Sequence, residues 1–324
     1  MRAFVSVTLA SGVAPATAPA VAPVQRPILA LGLRVLAAAV LATLLMLVKL
    51  TGESGVALPE IMFWRQAVGV PMLFGWLAAT GGLARLRTRR LGSHFGRSAV
   101  GTINMTFNFG AAILLLPAES TTLGFTTPLF AVVLAALVMR EHVGPYRWAA
   151  VALGFAGVLL TVQPSGGHMP PLGVACGLIA AFLIAVINYQ IRDLGRTEEP
   201  ISVVFWFATF GTAITALTLP FVTTAHSPRQ WLLMIAVGVV GTVGQLLYSA
   251  SLRLGAVSSL VVMDYTALFW ATLYGWAIWD RLPPIATWLG APLIVAAGLI
   301  IFAREHRLGK QRAVQEMTGV KLDG

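Results

Sequence analysis

Charge is what this sequence has least of. Asp, Glu, Lys and Arg make up 10% of its 324 residues, against roughly 25% in an ordinary soluble domain, while 57% are hydrophobic. That balance excludes a soluble globular protein and places the chain among polytopic membrane proteins. Cysteine is nearly absent: Cys176 stands alone inside an apolar run, so neither an internal disulfide nor a cysteine zinc site can form. The histidines, His94, His142, His168, His226 and His306, fall in the gaps between apolar runs without metal-ligand spacing. No Gly-rich phosphate loop opens a nucleotide domain, which excludes a pump driven by its own ATPase. Acids are scarcer than bases, 12 against 22. The net charge of +10 nevertheless does not indicate nucleic acid, because no basic stripe interleaves with aromatics.

What the sequence does have is long apolar runs. A helix needs about 20 residues to cross the hydrocarbon core, and ten runs qualify: 29–50, 61–80, 98–116, 118–139, 146–163, 171–191, 201–223, 230–250, 257–279 and 285–303. The connections are short and carry turn residues, as in "TGGLA", "PSGGHMPP" and "DRLPP". Nothing is left over for a soluble domain. Basic residues set the orientation. The gap between spans two and three holds Arg85, Arg87, Arg89, Arg90 and Arg97, and the segment after span ten holds Arg304, Arg307, Lys310, Arg312 and Lys321. Both therefore belong at the cytoplasmic face, with both termini, of a cell inner (plasma) membrane. The opposite loops keep Arg229 and Arg281. Residues 1–28 read as a disordered Ala/Pro tail rather than a cleaved signal peptide, and 305–324 as a basic cytoplasmic tail.

The chain also repeats itself. A shift of 139 lays 111–141 over 250–280 without a gap, matching Leu129-Phe130 to Leu268-Phe269, Ser120 to Ser259 and Glu141 to Asp280. A shift of about 141 matches Pro59 to Pro200 and Gly157 to Gly298. Five spans per copy is an odd number, so the second copy crosses in the opposite sense. The fold expected is an all-α integral membrane protein of ten transmembrane helices in two inverted five-helix repeats, 29–164 and 171–304. Inverted repeats are the signature of alternating access around a midplane site.

The segments "PEIMFWR" at 59–65, "LLLPAESTTLGFTTPLFAVVLAALVMREHVG" at 114–144 and "WAAVALGFAGVLL" at 148–160 resemble the EamA-type family of the drug/metabolite transporter superfamily over residues 29–304. The second half departs from the commoner pattern, with Ala267 where the first copy has Pro128 and Asp280 in place of Glu. The resemblance implies export of small metabolites such as amino acids or related compounds.

Intramembrane polar groups are the informative residues, because lipid does not tolerate them. Lys49 closes span one as either an interfacial anchor or a cavity cation, and Arg65 in span two pairs with Glu60 or Glu119 or contacts cargo. Asn104 and Asn108 share a face of span three, where they either bind a metabolite or tie helices together. Gly238, Gly241 and Gly244 in span eight read as packing, with Gln245 and Tyr248 placed to line a cavity. Asn188, Tyr189 and Gln190 sit at the cytoplasmic mouth of span six. In span nine Asp264 lies about 10 Å in, with Tyr265 and Trp270 beside it. Its carboxylate is held by a neighbouring cation, Arg253 being the candidate, or it meets a substrate ammonium or a coupling proton. The two carboxylates do not coincide in the repeat, since the shift of 139 sets Glu119 against Ser258 and Asp264 against Phe125.

Together these residues predict a secondary transporter, not an enzyme, whose partners are a small-molecule metabolite and the lipid bilayer. Protons are the candidate coupling ion through Asp264 and Glu119. An uncoupled permease is the alternative, and a membrane-embedded enzyme ranks behind it. No cofactor, metal or nucleic acid is expected.

Overall fold

Proline stands at the first or second position of nine of the fourteen described α-helices, and the reason is geometric: its fixed φ suits the first turn, where its missing N–H is not needed. In the computed structural model, residues 26–138, 140, 143–163, 169–254 and 257–318 are described, and helix is their only regular structure. The first half contains α1 (Pro27–Glu53), α2 (Leu58–Ala67), α3 (Gly69–Ala79), a 3-10 turn (Leu83–Leu86), α4 (Leu91–Leu114), α5 (Pro117–Gly124), α6 (Thr127–Leu137) and α7 (Pro145–Val162). The second contains α8 (Pro171–Leu194), α9 (Pro200–Ala216), α10 (Leu219–Val222), α11 (Pro228–Leu254), α12 (Val257–Asp264), α13 (Ala267–Trp279) and α14 (Ile285–Thr318).

Six of these segments are long and apolar enough to cross a membrane: Pro27–Glu53, Pro117–Leu137, Pro145–Val162, Pro171–Leu194, Pro228–Leu252 and Ile285–Arg304. The other predicted spans are helical but broken or polar. Span two divides into α2 and α3 at Val68, because Pro71 removes an N–H and crowds the carbonyl one turn back. Spans four and nine each break after eight residues, at Phe125-Thr126 and Tyr265-Thr266. Thr126 and Thr266 turn their hydroxyls onto the carbonyls of Leu123 and Met263, at 2.6 Å in both cases.

These matching breaks correct the repeat register. The first residues of α5 and α12, Pro117 and Val257, lie 140 positions apart. Gly124 therefore answers Asp264, and Phe125 answers Tyr265, instead of Phe125 answering Asp264. Phe125 and Tyr265 in fact touch edge to face, their centroids 4.9 Å apart. The predicted match of Glu141 to Asp280 lies outside the described residues, as do residues 1–25.

Packing follows small residues. Gly154 and Gly157 of α7 lie against Ala297, Ile294 and the Gly290 carbonyl of α14. Gly244 of α11 admits Leu41 of α1, while Gly173 and Gly177 of α8 admit Leu115 and Leu123. The pairs α1 with α11 and α8 with α4 run antiparallel. The start of α1 meets the end of α11 where Arg26 donates its N–H to Leu254, and its end meets the start of α11 where Gln230 donates to the Ser54 carbonyl. Large apolar side chains such as Phe74, Leu159, Phe221 and Leu232 are left exposed on the outside of the bundle, where hydrocarbon suits them.

Two tail boundaries move. Pro27 and Ile28 belong to α1, and α14 continues through the supposed tail to Thr318. A further correction concerns α4, which begins at Leu91 rather than 98. Its first turns carry His94 and Arg97, polar enough to hide the start of an apolar run, yet these residues are 1% and 6% exposed.

Candidate functional site

Asp264 ends α12 and is bridged by Arg34 of α1. Arg34 Nε donates to Oδ1 at 2.6 Å and Nη2 to Oδ2 at 2.7 Å, a fork-to-fork geometry that binds charge and orientation together. The guanidinium lies 3.6 Å from the centroid of Tyr248 and reaches Ser251 Oγ at 3.5 Å. Tyr248 thus supports Arg34 instead of lining a cavity alone. Arg34 is 2% exposed, whereas the Asp264 side chain is 37% exposed. The side chain of Arg253, the partner expected for Asp264, lies outside the described residues. A cation inside an apolar run, here within span one at 29–50, is the signal that identifies Arg34.

Two histidines expected in loops are buried partners of glutamates. At one end of the bundle, His226, just before α11, meets Glu60 of α2, with Nε2 and Oε1 2.7 Å apart and both side chains 2% exposed. Trp231 and Trp64 cover this pair. At the other end His94 of α4 meets Glu198, which precedes α9, at 3.4 Å, with exposures of 1% and 7%. Thr88 also donates to Glu198 at 2.8 Å. Around this second pair Arg85 binds Glu199 and Arg90 binds Asp193. A cavity of about 860 Å³ opens there among Leu86, Arg87, Arg90, Leu91, Glu198 and Trp206.

Between the two ends, Arg65 and Arg97 both lie by Phe207 of α9, 5.6 and 4.0 Å from its ring centroid. Arg65 Nη1 donates to the Gln66 side-chain oxygen at 2.5 Å, and Gln66 in turn donates to the Phe207 carbonyl at 3.4 Å. The expected ion pairs of Arg65 with Glu60 or Glu119 are absent among the described residues, since Glu60 is taken by His226. Asn104 lies seven residues beyond Arg97, on the same stripe of α4, and its Oδ1 is buried without a hydrogen-bond partner among the described residues. Asn108 continues that stripe, half-buried.

The remaining candidates separate from this centre. Lys49 donates to the Ile113 carbonyl at 2.8 Å, pairs with Glu53 at 3.3 Å and lies 5.6 Å over Trp279, so it knits α1, α4 and α13 instead of snorkelling. Glu119 accepts from the Leu116 N–H at 3.0 Å and closes the first turn of α5. Tyr265 packs on Phe125, and Trp270 makes edge contact with Phe269 at 5.3 Å. Gln245 is half-buried on α11, as is Gln190 on α8, while Asn188 and Tyr189 are exposed. Among the described residues no cluster of three metal-ligating side chains occurs.

A helical bundle that is apolar outside and carries its charges inside has the build of a multi-pass membrane carrier. The particular family follows from comparison: the EamA-like transporter family matches residues 28–163 and again 171–303, and the chain belongs to it. It is 26% identical over 267 residues to a riboflavin transporter of Vibrio cholerae, covering 80% of this chain and 87% of that one. It is 27% identical over 269 residues to the pseudopaline exporter CntI of Pseudomonas aeruginosa, covering 82% and 93%. A riboflavin transporter of Rhizobium johnstonii is 29% identical over 239 residues, covering 72% and 77%. A crystallographically solved chain, 22% identical, shares the fold with a TM-score of 0.58 over 87% of this chain and 99% of its own. The protein is a membrane transporter and not an enzyme.

Proposed function

We propose that this chain is a secondary exporter of small organic metabolites in the inner (plasma) membrane, rocking two inverted five-helix halves, 29–164 and 171–304, around a central site. One observation carries the reading. Glu60 at the start of the second span clasps His226 at the start of the eighth through a 2.7 Å hydrogen bond, and Glu198 at the start of the seventh faces His94 at the start of the third at 3.4 Å, a looser contact. Exchanging the halves turns one pair into the other, at the opposite end of the bundle. Alternating access needs two such clasps, one of which parts while the other holds. The arginine-rich end with its cavity is the cytoplasmic mouth in this reading. Small organic cargo and export are supported by relatives named for riboflavin and for pseudopaline export.

The test uses paired cysteines at 60 and 226, or at 94 and 198, in a Cys176→Ala background, bridged by a short reducible cross-linker in reconstituted vesicles. Either cross-link is expected to stop flux, and reductant to restore it. Full flux with either end tied would refute alternating access.

A second reading is an uncoupled permease, favoured by the engagement of both acids: Asp264 is held by Arg34 and Glu119 caps α5. Flux under an imposed pH gradient separates the two. If protons are coupled through Asp264, Asp264→Asn abolishes the pH dependence of flux; unchanged dependence removes that role.

A further inference from the structure

Arg97 is buried and Arg65 half-buried, and among the described residues neither has a counter-charge. Arg97 is 6% exposed, and its Nε and Nη1 have no hydrogen-bond partner among the described residues, nor does Arg65 Nε. The acids on adjoining elements bond other groups, Glu60 Oε1 to His226 and Glu198 to Thr88, and among the described residues neither pairs with either arginine. Two unneutralised guanidiniums inside a bundle carry a large desolvation penalty and also repel one another. They persist only where something compensates.

The surroundings make space for them. A Cβ on Gly101 would stand 2.7 Å from Arg97 Nη1 and 2.7 Å from the Phe207 ring, and one on Gly241 would stand 3.3 Å from Arg65 Nε. Gln66, fully buried, has its amide held by the Phe207 carbonyl and its oxygen turned to Arg65, which fixes that guanidinium and leaves Nε unused. The place matters as well: Arg65 lies five residues inward from Glu60 on α2, and Arg97 three inward from His94 on α4. The cations therefore sit between the two clasps, with the unpartnered oxygen of Asn104 further along the same stripe of α4.

We propose that Arg65 and Arg97, both beside the Phe207 ring, form an anion site that takes the oxyanion of the cargo, a carboxylate or a phosphate. Guanidinium groups suit these ligands through paired, charge-assisted hydrogen bonds. The inference rests on the transporter reading for the word cargo, but the site itself is a binding claim and is tested without flux.

The experiment is thermal unfolding of the purified full chain in zwitterionic nanodiscs, with sodium acetate or sodium phosphate added against sodium chloride at matched ionic strength. A saturable rise of about 2–4 °C is expected with at least one oxyanion, and the larger rise identifies its class. Arg65→Gln and Arg97→Gln should each abolish the rise while leaving the anion-free midpoint unchanged or higher, since each removes an uncompensated charge. Arg97→Lys should keep part of it. Three results would overturn the site: no rise beyond chloride, a rise that survives both glutamine variants, or a fall in their anion-free midpoints as large as that of Arg34→Gln, which would make the arginines structural. A rise seen only when anionic lipid enters the nanodisc would assign the arginines to headgroups, not cargo. Anion binding together with flux that ignores the cross-linked clasps would leave the site standing and reject alternating access.

Discussion

Arg34 and Asp264 are 230 residues apart in the chain and form a bidentate ion pair in which Arg34 is buried and Asp264 partly exposed. Removing one partner of a fully buried pair costs roughly 3–5 kcal/mol, because the other charge is left stranded; the partial exposure of Asp264 reduces that figure here. Arg34→Ala is therefore expected to lower the unfolding midpoint more than the apolar double variant Arg34→Met with Asp264→Leu, which leaves no charge behind. Thermal unfolding of the single and double variants checks the order, and a double variant worse than either single one contradicts it. Asp264 was visible in the sequence as an anomaly in an apolar run, but its partner was not. Sequence proximity favours Arg253, while the fold brings α1 against α12 and supplies Arg34. Glu60 and His226 were separated in the same way, one read as a helix start and the other as a loop residue.

At the scale of elements, the tightest contact is that between α7 and α14. A Cβ on Gly157 would come within 2.9 Å of the Gly290 carbonyl oxygen and 3.0 Å of Ile294, and backbone does not yield as a side-chain tip does. Gly290→Val is expected to cost at least the roughly 1–3 kcal/mol of an overpacked core, whereas Gly32→Ala, with open space around it, should leave the unfolding midpoint close to that of the parent chain. Equal midpoints for the two variants would contradict this packing. All ten apolar runs proved to be helical, since hydropathy and length decide that much. Their breaks were less legible. Proline explains the break between α2 and α3, but span nine breaks at Thr266 without a proline at the position that answers Pro128, which is Leu268. There the threonine hydroxyl on the Met263 carbonyl supplies the turn, a bond that no hydropathy window registers.

For the whole molecule, charge distribution and packing point to the same polarity. Arg85, Arg87, Arg89, Arg90 and Arg304 gather at the end where His94 meets Glu198, and Arg229, Arg281 and the Glu60–His226 pair lie at the other. A reporter fused after Gly324 is accordingly expected on the cytoplasmic side, and a reporter inserted near Ser227 on the opposite side. Finding both on one side would remove the inverted arrangement and the mouth assigned to the arginine-rich end.

By itself the sequence determined that the chain is a multi-pass helical membrane protein, made of a doubled unit and belonging with transporters. Scarcity of charge, run length and the recurrence of Pro and Gly are local quantities that can be read without coordinates. Only the tertiary structure decided which charges meet. The pairing of Arg34 with Asp264, the glutamate clasps on His94 and His226, and the convergence of Arg65 and Arg97 on Phe207 each join residues from distant helices. In lipid it is the packing of helices on one another, and not the pattern along any one of them, that sets which polar groups find partners.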